Sequence, residues 1–198
     1  AIKQEGERLL SFDENVEQWQ NRVLSLRKWN PEEEWPEVST HTLLITNEEW
    51  LSPYLNEVKK PDDLKKIDLV SVLNNILDWE KQKELNRLAP TSIEVPSGST
   101  IKIHYPAAGE PPVIAVRLQE IFGMADTPKL NNGKNNCVLH LLSPGYKPVQ
   151  ITSDLKSFWS NTYFEVRKDL KRRYPKHSWP DDPWTAEAVR GVKKKKSN

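Results

Sequence analysis

Six cations crowd the ten residues from 167 to 176: Arg167, Lys168, Lys171, Arg172, Arg173 and Lys176. Tyr174, His177 and Trp179 interleave with them and Trp184 follows. Cations neutralise phosphates and aromatic faces stack bases, so this is the composition of a nucleic-acid contact. A plainer reading uses the same residues, because charged helix faces are commonly solvated and aromatics between prolines commonly anchor a chain. A third reading is hydrolytic. RYPKHSWPDDPW, from Arg173 to Trp184, holds His177, Ser178 and Asp181, and Ser143, His140 and Asp154 form a second such trio. Neither serine has a nucleophile elbow around it, and common polar residues make such trios by chance. Asp181 and Asp182 sit among prolines, where a turn cap or a counter-charge suits them better than acid–base work.

Other chemistries find little support. There is no GxxxxGK[ST] loop, no GxGxxG after a strand and no HExxH, so no phosphate cradle and no zincin site is expected. His41, His104, His140 and His177 are scattered, and no metal-ligand spacing emerges. Cys137 is the sole cysteine; it cannot form an internal disulfide and reads as a small apolar residue of a strand. The expectation is a segment with no catalytic residue, no metal and no cofactor of its own.

The elements that must carry the basic residues follow from periodicity. Thr152-Ser153-Asp154 is a helix-start signal, and Leu155, Phe158, Trp159, Thr162, Tyr163, Val166 and Leu170 then recur at offsets of three and four, predicting an amphipathic helix with cations opposite its apolar stripe. Upstream, SIEV, TIKIHY, VIAVRL, CVLHLL and VQIT alternate apolar and polar residues between turns such as PSGS, PAAGEPP and SPGYKP. Five short strands interrupted near QEIFGM predict an OB-like five-stranded barrel. On such a barrel a single strand would meet Lys102, His104, Arg117, Tyr146 and Lys147, a sparse set. Before Ala89-Pro90 the pattern is helical. Ser11 with Glu14 reads as a capping box opening a helix through Phe12, Val16, Trp19, Val23 and Leu26; NEEWLSPYLNEV and the stretch Asp62 to Trp79 continue it, and Leu85 and Leu88 mark a short last helix. The predicted class is α+β: helical domain 1–90, barrel 91–153, C-terminal helix and strap 154–184, basic flexible tail 185–198.

Charge is uneven along the chain. Residues 1–92 hold 12 Lys+Arg against 18 Asp+Glu, residues 93–146 hold 4 against 4, and residues 147–198 hold 13 against 6. An anionic partner is therefore expected at the C-terminal part. With a mean hydropathy of -0.73 and no apolar run approaching ~20 residues, neither a membrane span nor a signal region is expected, and the cytoplasm is the expected compartment. The chain opens on Ala rather than Met, which suggests a segment of a longer polypeptide.

VPSGSTIKIHYPAAGEPPVIAVRLQEIFGMADTPKLNNG and LHLLSPGYKPVQITSDLKSFWSNTYFEVRKDLKRRYPKHSWPDDP resemble the C-terminal region of the HrpB family of bacterial DExH-box ATP-dependent RNA helicases. LQEIFG, LLSP, PVQITSDLKSFW and RYPKHSWPDDP carry it most specifically, and EWLSPYL to LAPT extends it to residues 48–184. The resemblance implies that ATP, Mg and hydrolysis belong to a helicase core upstream. It also implies an accessory role, gripping single-stranded RNA or DNA or receiving regulators. The candidate contacts are Arg167, Lys168, Lys171, Arg172, Arg173, Lys176, His177, Lys147, Lys102 and Arg117; the expected anchors of a strap are Trp159, Tyr163, Tyr174, Trp179 and Trp184. The rival expectation is a structural module that docks on its own helicase core. Either way a monomer that stays off membranes is expected.

Overall fold

The first long helix starts at a different cap from the one its sequence suggests. The computed structural model describes residues 8–56 and 58–192, and in it α1 spans Glu14–Trp29 with Asp13 as its cap, accepting from the Asn15 and Val16 amides at 2.9 and 3.0 Å. Ser11 instead donates to the Lys65 carbonyl. A carboxylate two residues downstream outcompetes a hydroxyl for the positive end of a helix. Val16, Trp19, Val23 and Leu26 are buried as the spacing predicts. Short helices follow: α2 (Thr40–Ile45), α3 (Asn47–Trp50), α4 (Pro61–Leu64), α5 (Leu69–Asn74) and α6 (Trp79–Leu88). The single pattern read from Asp62 to Trp79 is thus broken. Asp68 accepts from the Ser71 amide and hydroxyl, and Asp78 from the Lys81 amide at 2.8 Å, so each starts a new helix rather than extending one.

Two compact units result, Ala1–Ala89 with Tyr105–Glu110, and Pro90–His104 with Pro111–Asn198. Within the first, the backbone of residues 105–109 is bound by α1. Gln18 exchanges two hydrogen bonds with Tyr105, Trp29 Nε1 donates to the Gly109 carbonyl, and the Gly109 amide donates to Ser25 Oγ. Gly109 has φ +82°, and a Cβ there would lie 2.7 Å from Lys28 Cδ. PAAGEPP, a turn by its sequence, has its polar backbone taken up in this way.

The second unit is built on five strands in the order β1-β2-β3-β6-β7: β1 (Ser92–Glu94), β2 (Thr100–His104), β3 (Val113–Arg117), β6 (Val138–Leu142) and β7 (Pro148–Thr152). A two-stranded ribbon, β4 (Lys129–Leu130) with β5 (Asn135–Asn136), interrupts them. The five strands lie where the alternation predicts, but they do not form the expected OB-like barrel. The sheet is open: β1 and β7 are its edges and are not neighbours, and β3 pairs with β6 in parallel, Ala115 opposite His140. The reason is local. β1 has three residues before Pro96 stops it, β7 starts at Pro148, and a register irregularity at Leu141/Leu142 disturbs pairing.

Apolar closure comes from the C-terminal helix instead. Its first turn α7 (Leu155–Ser157), a π-helical turn Phe158–Thr162 and α8 (Tyr163–Arg173) run in succession, with Asp154 capping the start. Trp159 lies 6.1 Å from Phe122 and 5.3 Å from Tyr163, ring centre to ring centre, and its indole donates to the Met124 carbonyl. The π-turn adds a residue to the repeat, so Thr162, on the apolar stripe by spacing, is exposed while Tyr163 is buried. Among the described residues no helix is long and apolar enough to cross a membrane.

Candidate nucleic-acid interface

The basic run divides by residue type. Its arginines turn inward or pair locally: Arg167 Nε donates to the Trp179 carbonyl at 3.0 Å while its guanidinium pairs with Asp181, and Arg172 and Arg173 both pair with Asp169, at 3.0 and 2.8 Å. A guanidinium fork suits such ties. Lys168, Lys171 and Lys176 are exposed and have no ion pair among the described residues. Lys147 is likewise exposed, at the tip of the β6–β7 turn.

The strap follows α8 back over the second unit. Tyr163 Oη donates to the Pro180 carbonyl, Trp179 Nε1 to the Tyr174 carbonyl, and the Gly123 amide to the Pro183 carbonyl. Burial pushes the Tyr163 hydroxyl well above its usual value. Trp159 and Tyr163 are fully buried, Trp179 is 7% exposed, and Tyr174 and Trp184 are half-buried. Asp182 caps the turn, accepting from the Trp184 amide and from Thr185 Oγ1; these bonds, Thr185 first, hold its carboxyl below the usual range. Both sequence readings of the aspartate pair, cap and counter-charge, are therefore met. Two residues of the segment expected to be a flexible tail are tied down: Val189 N donates to the Gln119 carbonyl, and Arg190 to the Ser97 and Gly98 carbonyls. Lys193 to Lys196 fall outside the described residues.

His177 faces inward. Its Nδ1 is 3.0 Å from the Gln119 amide nitrogen, and its ring meets Tyr174 edge-on. Burial, then the charge of Arg117, holds it below its usual value, so it is neutral at pH 7. Arg117 is 3.1 Å from the nearly buried Glu120 carboxylate and sits 4.9 Å from the Tyr146 ring centre. Lys102 is exposed on β2, three strands from β7, roughly 14 Å across a sheet; it does not join the group around α8. The hydrolytic trios do not assemble. Ser143 Oγ accepts from the Lys147 amide and is 3.4 Å from Tyr174 Oη, while Asp154 is spent on its helix. Burial pushes the Cys137 thiol up to about 12, leaving it unreactive.

Gln119 and Glu120 went unnoticed in the sequence as members of this group. Their signal was the break QEIFGM, which folds as a 3₁₀ turn at Leu118–Glu120 and aims both side chains inward. Among the described residues no three His, Cys, Asp or Glu converge, and the sequence has no glycine-rich phosphate loop.

This α+β architecture, with its basic helix and proline-bearing strap, matches over residues 50–183 the family described as ATP-dependent helicase C-terminal. The chain belongs to that family, the C-terminal region of HrpB helicases. It is 42% identical over 194 residues to the ATP-dependent RNA helicase HrpB of Escherichia coli (strain K12), covering 98% of this chain and 24% of that protein. The crystal structure of the E. coli DExH-box NTPase HrpB superposes with a TM-score of 0.90 at 42% identity, covering 96% of this chain and 23% of the other. A crystal structure of the E. coli DEAH/RHA helicase HrpB gives 0.76 at 41% identity, covering 90% and 22%. The chain spans about a quarter of the length of these relatives.

Proposed function

We propose that this chain is the accessory C-terminal part of an ATP-dependent RNA helicase, contacting single-stranded nucleic acid through backbone charge and performing no catalysis itself. ATP, Mg and hydrolysis then belong to the core of that helicase, and the chain acts in the cytoplasm as a monomer. The observation that carries the reading is the set of exposed lysines, Lys147, Lys168, Lys171 and Lys176, with no carboxylate partner among the described residues. Ammonium groups are point charges that meet phosphates without reading bases, so little sequence preference is expected.

The test is binding of fluorescent single-stranded RNA, single-stranded DNA and duplex over a salt series. Four lysine contacts at ~0.7 per phosphate give a log–log slope near -3 for a single strand. Replacing Lys168, Lys171 and Lys176 by Ala should weaken binding and flatten the slope by about 2. Absence of binding at about 50 mM salt, where such contacts are strongest, rejects the reading.

One observation favours a second reading, a module that docks on the helicase core. The helical unit holds an apolar cleft of about 420 Å³ lined by Leu43, Trp50, Pro53, Tyr54, Val72 and Ile76. A chain that binds no strand and self-associates would fit it.

A further inference from the structure

The β6–β7 turn holds a tyrosine where its backbone geometry favours glycine. Tyr146 has φ +61°, a conformation that costs a bulky residue energy and clusters at functional sites. Gly145 stands one position earlier, yet the left-handed position itself carries an aromatic ring that is 65% exposed. The turn around it is fixed. The Tyr146 amide donates to the Ser143 carbonyl at 2.9 Å, the Ser143 amide to the Lys147 carbonyl at 2.8 Å, and the Lys147 amide to Ser143 Oγ at 3.1 Å. Tyr174 packs so closely on Gly145 that a Cβ there would lie 2.9 Å from Tyr174 Oη.

One side of the Tyr146 ring is backed by a cation. The Arg117 guanidinium, 4.9 Å from the ring centre, is itself held by Glu120 at 3.1 and 3.3 Å, and Glu120 accepts from Ser99 Oγ at 2.7 Å. The ring is therefore preorganised over a rigid support, with much of its surface left to solvent. Lys147, the next residue, is exposed and extends no ion pair among the described residues. A fixed, cation-backed aromatic face beside a free ammonium has the two parts needed for one nucleotide: a stacking surface for the base and a charge for its phosphate.

We propose that Tyr146 is a base-stacking residue for single-stranded RNA, with Arg117 positioning its ring and Lys147 meeting the adjoining phosphate. The inference rests on the strand-binding reading and adds to it a site for the base, off the basic helix. A tyrosine kept only to cover Arg117 would make no difference to a strand.

The test is anisotropy of a labelled oligouridine RNA with the wild-type chain and with Tyr146→Phe, Tyr146→Ala and Tyr146→Gly. Tyr146→Phe should bind as wild type. Tyr146→Ala and Tyr146→Gly should each lose roughly tenfold in affinity, with the salt slope unchanged, because stacking carries no counterion release. Tyr146→Gly relaxes the backbone at φ +61°, so its unfolding midpoint should stay at or above that of wild type, separating lost stacking from lost folding. Tyr146→Gly binding within about twofold of wild type would overturn the stacking site and leave the lysine contacts standing. A flattened slope in Tyr146→Gly would also overturn it, since the loss would then be one of phosphate contact. A wild-type chain that binds no RNA at all would remove the strand-binding reading and this site with it.

Discussion

Trp179→Ala separates an anchor from a stacking surface. Trp179 is 7% exposed; its indole donates to the Tyr174 carbonyl at 2.8 Å and its own carbonyl accepts from Arg167 Nε at 3.0 Å. Truncating a buried Trp to Ala costs about 3–5 kcal/mol. The lower figure applies here, because the strap lies at the surface and can partly collapse into the space; the lost indole donor is within that sum. The second unit, Pro90–His104 with Pro111–Asn198, has roughly 100 residues, for which 1 kcal/mol moves the midpoint by about 4–8 °C. Trp179→Ala should therefore lower the unfolding midpoint by at least about 10 °C, read by calorimetry at fixed salt. Trp179→Phe keeps most of the burial, loses only the donor, and should fall by about a third as much. The reasoning is refuted if Trp179→Ala leaves the midpoint in place while abolishing RNA binding, for then the ring serves the strand and not the fold.

Two further outcomes follow from the geometry. His177 is held below its usual value by burial and then by Arg117, so below about pH 6.5 the unfolded chain takes up a proton that the folded chain resists. Stability is then full above about pH 6.5 and declines as pH falls; His177→Gln should flatten that decline in midpoints measured between about pH 7.5 and 5.5. Gly109→Ala places a Cβ 2.7 Å from Lys28 Cδ at φ +82° and should destabilise the helical unit by about 1–2 kcal/mol in denaturant titrations, with RNA affinity unchanged.

What sequence patterning could and could not reveal depends on range. The five strands were visible because alternation is a property of each strand alone, and Ile103, Ile114, Val116, Leu139 and Leu141 are buried as alternation requires. Strand neighbours are a property of the whole unit, so the parallel β3–β6 pair and the open edges were not visible. Caps occupied a middle ground. The start of the last helix was found, but with a hydroxyl as its cap and Asp154 as an early acid, where Asp154 is itself the cap; Asp13 was passed over for Ser11, and Asp68 and Asp78 lay inside an apolar rhythm that hid the breaks they make. The strap drew notice through its prolines and aromatics. Gln119 and Glu120 were not, because a polar side chain turned inward at a 3₁₀ turn has no periodic signature.

Counting cations overstates the charge available to a partner, and the structure shows by which rule. Arg22 donates to the Ala89 carbonyl, Arg27 to that of Trp35 and Arg190 to that of Ser97, while Arg117 is tied to Glu120 and Arg167 to Trp179 and Asp181. These guanidinium groups act as struts, since a planar fork satisfies carbonyls and carboxylates that an ammonium would meet with one bond. Within the basic run the same division leaves three of six cations without an ion pair among the described residues, all lysines, joined by Lys147 from the β6–β7 turn, while Arg172 and Arg173 are exposed but paired with Asp169. If every cation from Arg167 to Lys176 met phosphate together with Lys147, the single-strand salt slope would approach -5; the lysines alone give about -3. The difference is measurable in one titration. A slope near -5 would mean that Arg167, Arg172 and Arg173 leave Asp181 and Asp169 for the strand, and that the strap opens when the partner binds.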